Sequence, residues 1–111
     1  MNKNDYCVVY IMAPGFEEAG RIADSLVSKR LAACVNMIPG VTSVFRWKGS
    51  IRTESETMLV AKTKKDKFDA LKADVLRLHS YELPEIISVP IEQGLEHFLK
   101  WVDTETGFHD E

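Results

Sequence analysis

A chain of 111 residues, 45% hydrophobic and 28% charged, has the size and composition of one soluble globular domain. The formal net charge is -3, with nine basic against five acidic residues from Arg46 to Arg77 and one basic against eight acidic from Glu82 to Glu111. That argues against a nucleic-acid surface, because counterion-driven affinity needs clustered positive charge, and no basic cluster here is interleaved with stacking aromatics. The opening MNKNDYCVVYIMAPG has one lysine and an apolar run too short to span a bilayer, so no signal peptide, transmembrane helix or membrane partner is expected.

Tyr6 to Ala13 is an apolar run of strand length and composition, closed by Pro14-Gly15. From Glu17 the period becomes helical. Ala19, Ile22, Ala23, Leu26 and Val27 share a face, with Glu17-Glu18 in the first turn and Lys29-Arg30 in the last, charges that suit the helix dipole. Leu31 to Gly49 follows as one long strand with a kink. Pro39 has no N–H for a ladder and Gly40 little to pack, which assigns the pair to a bulge or a sheet edge. Gly49-Ser50 reads as a hairpin turn, and the chain returns from about Ser55 to Thr63 through the apolar run Met58 to Ala61. Thr63 is expected to cap a second helix, with Asp66 near its start and Phe68, Leu71, Val75 and Leu78 along one face, ending near His79. His79 to Glu85 contains a proline and no period and is a loop. Ile86 to Ile91 is a fourth strand. Gly94 opens a short helix in which Leu95, Phe98, Leu99 and Val102 share a face with Trp101 at its edge. Thr104 to Glu111 is expected to be a mobile tail of a single domain spanning residues 1–111.

The order β-α-β-β-α-β plus a terminal helix is the α+β, ferredoxin-like arrangement with an antiparallel sheet. Its first strand is central, and the return strand separates it from the Leu31 strand. Cys7 and Cys34 then sit about 9.5 Å apart, beyond the ~7 Å reach of a disulfide, and are expected to be free thiols. Both helices cover one sheet face. The first strand nevertheless places Cys7, Val9 and Ile11 on one side and Tyr6, Val8, Tyr10 and Met12 on the other, so both faces are apolar. Such a sheet needs a partner, and a homo-oligomer that packs sheets and pairs edge strands is expected.

LAACVNMIPGVTSVFRWKG, Glu56, the Lys62-Thr63 pair, the HSYELPEII loop and Trp101 together resemble the CutA divalent-cation-tolerance family, over about Val8 to Val102. The resemblance implies a cytoplasmic, ferredoxin-like protein that forms a tight homotrimer with inward-facing sheets, similar in architecture to PII signalling proteins, and a link to copper and heavy-metal tolerance. It also implies copper ligation by a first-strand cysteine and a His-His pair before a PYxxP loop. In this chain the cysteine position falls near Ile11 and the first histidine on Leu78. His79 retains the second, and Ser80 stands where the proline is usual.

His79 is therefore the metal candidate, paired with a donor from a neighbouring subunit because no cysteine lies within its sequence reach. A helix-end histidine can equally cap the last carbonyls or hydrogen-bond within the loop. His97 and His109 are isolated and expected to be solvated. Glu56 and Lys62 are six residues apart on one strand face. They have an ion-pairing role at the rim or in a subunit interface or, with Trp47 and Tyr81, line an inter-subunit pocket for a small anion. Trp47 and Trp101 are otherwise packing residues. No nucleophile stands beside a base, and there is no Gly-rich phosphate loop, CxxC or HExxH, so catalysis is not expected. Metal tolerance through metal binding competes with a PII-like regulatory module that takes a small ligand or a protein between subunits.

Overall fold

The chain folds in the order β1 (Tyr6–Ala13), α1 (Phe16–Ser28), β2 (Cys34–Trp47), β3 (Ser50–Lys64), α2 (Phe68–Leu78), β4 (Ile86–Pro90) and α3 (Glu96–Thr106), in a computed structural model that describes residues 5–107. The four strands form one antiparallel sheet in the order β2-β3-β1-β4, the ferredoxin-like topology with a terminal helix. Strand alternation sends Cys7, Val9, Ile11 and Ala13 of β1 under the helices. There they form one core with Leu59 and Ala61 of β3, Ala19, Ile22 and Leu26 of α1, and Leu71 and Val75 of α2. The residues between them in β1 point to the other face. Its lower end is covered by α3, where Val102 and Leu99 pack with Tyr6, Ala33 and Ile91. β3 lies between the strands carrying Cys7 and Cys34, and both thiols are free.

Asp74 joins the two covering helices. Its buried carboxylate accepts from Lys29 Nζ (2.7 Å), Ser25 Oγ (2.7 Å) and Arg77 (2.9 Å). Burial alone would raise its pKa, but the three donors outweigh it and bring the carboxyl down to about 2.

Several boundaries differ from the sequence expectation. α1 ends at Ser28, so Lys29 and Arg30 lie past it rather than in its last turn. Arg30 takes the left-handed conformation at φ 59 that closes the helix, and Lys29 turns to Asp74 instead of the dipole. β2 begins at Cys34, not Leu31. The hairpin turn is Lys48-Gly49, one residue earlier than Gly49-Ser50. Trp47 pairs with Ser50, and both turn residues have positive φ (49 and 83), the geometry that matches strand twist. β3 starts at Ser50 rather than Ser55. Thr63 is not a helix cap. It is a buried residue of β3 whose Oγ1 donates to the Leu31 carbonyl (2.6 Å), and a 3-10 turn (Lys65–Lys67) precedes α2. α3 continues to Thr106, whose buried hydroxyl donates to the Val102 carbonyl (2.8 Å), so Thr104 to Thr106 are helix and not tail. The remainder of the expected tail from Phe108 onward lies outside the described residues.

The bulge falls where Pro39-Gly40 indicated, between Ile38 and Val41, with Gly40 at φ 74. Beyond it β2 and β3 continue as a two-stranded arm, because β1 ends at Ala13, opposite Thr57.

Candidate functional site

At the root of the arm, loop 79–85 carries the polar residues that the sequence singles out. His79 ends α2 by donating its backbone N–H to the Val75 carbonyl (2.8 Å) and then turns to extended backbone, which aims its ring inward. The side chain is completely buried. Nε2 lies 2.6 Å from the Met12 carbonyl oxygen, and Nδ1 accepts the Tyr81 N–H at 3.1 Å. A carbonyl can only accept and an N–H can only donate, so these partners assign the neutral ring with its proton on Nε2. The other end of the loop returns to the same residue, since the Met12 N–H donates to the Glu85 carbonyl (3.4 Å).

Two carboxylates complete the arrangement. Glu18 Oε2 accepts from the Ser80 N–H (2.9 Å) and Ser80 Oγ (3.0 Å) and stands 3.5 Å from His79 Nδ1. Tyr81 Oη donates to Glu56 Oε2 at 2.8 Å, and the ring tilts against His79 at 4.9 Å between centroids. Burial, the bond to Glu56 and the negative charge of Glu56, Glu54 and Glu18 push the Tyr81 hydroxyl up to about 12. Lys48 at the hairpin tip approaches Glu82 of the loop to 3.9 Å, both side chains being largely exposed.

Of the four pocket candidates, one protomer brings together Glu56 and Tyr81. Lys62 is six residues from Glu56 along β3, about 20 Å of extended chain, and its ammonium donates to Asn36 Oδ1. Within one protomer Glu56 and Lys62 thus make separate contacts, Glu56 with Tyr81 and Lys62 with Asn36. Trp47 pairs with Ser50 at the hairpin tip, with Lys48 Nζ 5.5 Å from its ring centroid. Trp101 stacks on Phe98 (5.6 Å) on the outer side of α3. His97 is exposed, and His109 lies outside the described residues. Cys7 is fully buried, and burial pushes its thiol up, which suppresses the reactive thiolate.

Glu18 was not anticipated as a site residue. The signal was in its phase: Glu18, Ile22 and Leu26 are spaced by four, so it lies on the buried stripe of α1, and its side chain is 12% exposed.

The profile of the CutA1 divalent ion tolerance protein family matches residues 7–105. The chain belongs to the CutA1 family. It is 46% identical over 95 residues to the divalent-cation tolerance protein CutA of Archaeoglobus fulgidus, covering 86% of this chain and 92% of that protein. It is 41% identical over 99 residues to the chloroplastic protein CutA 1 of rice, covering 89% of this chain and 56% of the rice protein, so it spans about half the length of that relative. The solved divalent cation tolerance protein of Thermus thermophilus superposes with a TM-score of 0.90 at 44% identity, covering 92% of this chain and 99% of the other.

The residues at the copper positions implied by the family resemblance can now be tested for fit. Ile11 is fully buried in the core, and Leu78 packs against the same core from the end of α2; neither offers a donor atom. His79 has both ring nitrogens engaged. Among the described residues, no group of three or more His, Cys, Asp and Glu stands close enough to hold a metal ion. This donor set does not fit copper.

Proposed function

We propose that this CutA1-family chain serves divalent-cation tolerance as one subunit of a homotrimer, without catalysis, and acts through the surface between subunits in the manner of a PII-like regulatory or ligand-binding module. The observation that carries this reading is the sheet face turned away from α1 and α2. It presents Ile38, Ile87 and Val89 to solvent, with Ile87 50% exposed, and continues into an arm whose Phe45, opposite Arg52 on the same face, is 39% exposed. An apolar surface of this extent on a domain this small marks an interface. Its edges are the strands β2 and β4, which leave unpaired backbone on opposite sides of the sheet, an arrangement suited to a head-to-tail ring.

A cytoplasmic setting is supported by the two free cysteines. Among the described residues no helix is long and apolar enough to cross a membrane. The competing route to cation tolerance, copper held by His79 with a donor from a neighbouring copy, requires one ring nitrogen to leave its present partner. Sedimentation equilibrium at micromolar concentration is expected to give three times 12.6 kDa. A monodisperse monomer would defeat the proposal. Within the trimer, nucleotides or small anions are expected to raise the melting temperature while divalent cations alone do not.

A further inference from the structure

We infer that His79 in this chain is a hydrogen-bonding pin that fixes loop 79–85 to β1 and α1, and that no copper is held at the Ile11, Leu78 and His79 positions. For His79 to coordinate through Nε2 it must give up its proton and the Met12 carbonyl; through Nδ1 it must displace the Tyr81 N–H. Either change leaves a backbone group at the buried ring without its hydrogen-bond partner. A copper ion would return little for that, because a soft or borderline metal needs several converging N or S donors.

Those donors are out of reach. Cys7 is five residues from Met12 along β1, about 17 Å, and Cys34 lies across β3 opposite Lys62, itself opposite Val8. Glu18 Oε2 is already committed to two donors from Ser80, and Glu56 Oε2 to Tyr81. A donor from a neighbouring copy fares no better: the His79 side chain has no exposed surface, so the loop would have to open before anything outside could touch it.

The same contacts explain what the imidazole does instead. Met12 accepts from His79 at one end of the loop and donates to Glu85 at the other, so a single residue of β1 clamps both ends. Nδ1 then sets the backbone of Tyr81, whose hydroxyl reaches Glu56 at the root of the arm. A histidine supplies both a donor and an acceptor on one rigid ring, which is why it suits this position without a metal.

The test compares the parent chain with His79→Ala and His79→Gln. The glutamine amide can still donate to the Met12 carbonyl but is a poor copper ligand. Copper bound per chain after titration with Cu(II), and with Cu(I) under reductant, is expected to be the same for all three. His79→Ala is expected to melt about 5–10 °C lower, with faster hydrogen exchange at the Tyr81 amide, and His79→Gln to recover part of that shift. The inference is overturned if the parent binds one copper per chain that both variants lose, or if neither variant changes melting or Tyr81 exchange. Should His79→Ala fail to fold, the parent titration and His79→Gln decide the matter alone. Association is read separately by sedimentation, so failure of the trimer proposal and failure of this one are distinguishable.

Discussion

The lower and upper halves of the β2–β3 hairpin are built from the same kinds of residue and have opposite surroundings. Below the bulge, Val35 and Met37 of β2 and Leu59 and Ala61 of β3 pack under α1 and α2. Above it, Val44, Phe45 and Ile51 are equally strand-forming and stand in solvent. Composition does not separate the halves; the length of the neighbours does. β1 stops at Ala13 and the helices cover no further, so the arm has a partner strand and no roof. Folding free energy of the single chain therefore resides mainly below the bulge, and under the proposed trimer the arm's apolar side chains contribute on association.

The largest effect is expected in the closed half. Leu59→Ala empties fully buried core volume and should destabilise the chain by about 3 kcal/mol in urea unfolding, with the denaturant slope unchanged. Next is the clamp between the two helices. The Asp74 carboxyl titrates at about 2 in the folded chain and at 3.8 ordinarily, so its contribution is complete above the ordinary value and is lost as pH falls from there through the folded value. Stability should drop by roughly 2 kcal/mol between pH 4 and 2, and Asp74→Asn should flatten that part of the profile. At the root of the arm, Tyr81→Phe leaves Glu56 without its phenolic donor and should cost about 1–2 kcal/mol. Spectrophotometric titration should show the same substitution removing a tyrosine that ionises near 12. Because that pKa is raised on folding, the stability linked to it is present below the ordinary 10.0 and disappears as pH climbs toward 12. The smallest change in single-chain stability, within about 0.5 kcal/mol, is expected for Ile51→Thr in the arm. There the loss should appear as weaker association on dilution; if Ile51→Thr instead costs as much as Leu59→Ala, the contrast between the two halves is wrong.

The order of elements was legible because Tyr6 to Ala13 is a continuous apolar run of strand length closed by Pro14-Gly15, whereas Ala19, Ile22 and Leu26 recur with the helical period. The bulge was legible because Pro39 cannot serve a ladder. What escaped were the places where tertiary contacts override a local cue. Thr63 has the chemistry of a cap, yet its hydroxyl goes to the Leu31 carbonyl across the sheet. Lys29 has the sign that suits a helix end, yet Asp74, 45 residues away, takes it. The loop was placed correctly, and His79, Tyr81 and Glu56 were each singled out. Their wiring was not readable, because Met12 contributes only its backbone and Glu18 arrives from a helix sixty-two positions away from Ser80. A histidine's residue type does not reveal whether its two nitrogens are already spoken for.

The interruption at Pro39-Gly40 has a further consequence for solubility. β2 is an outer strand fourteen residues long with one side of its backbone unpaired, the kind of edge onto which strands from unrelated chains can add without limit. Pro39 offers no N–H, and the bulge turns the backbone at that point, so the edge is split into two short runs, Cys34–Ile38 and Val41–Trp47, that a straight incoming strand cannot match together. The kink thus works as a gatekeeper against fibrous assembly, leaving the long edge usable by a partner shaped to its bend.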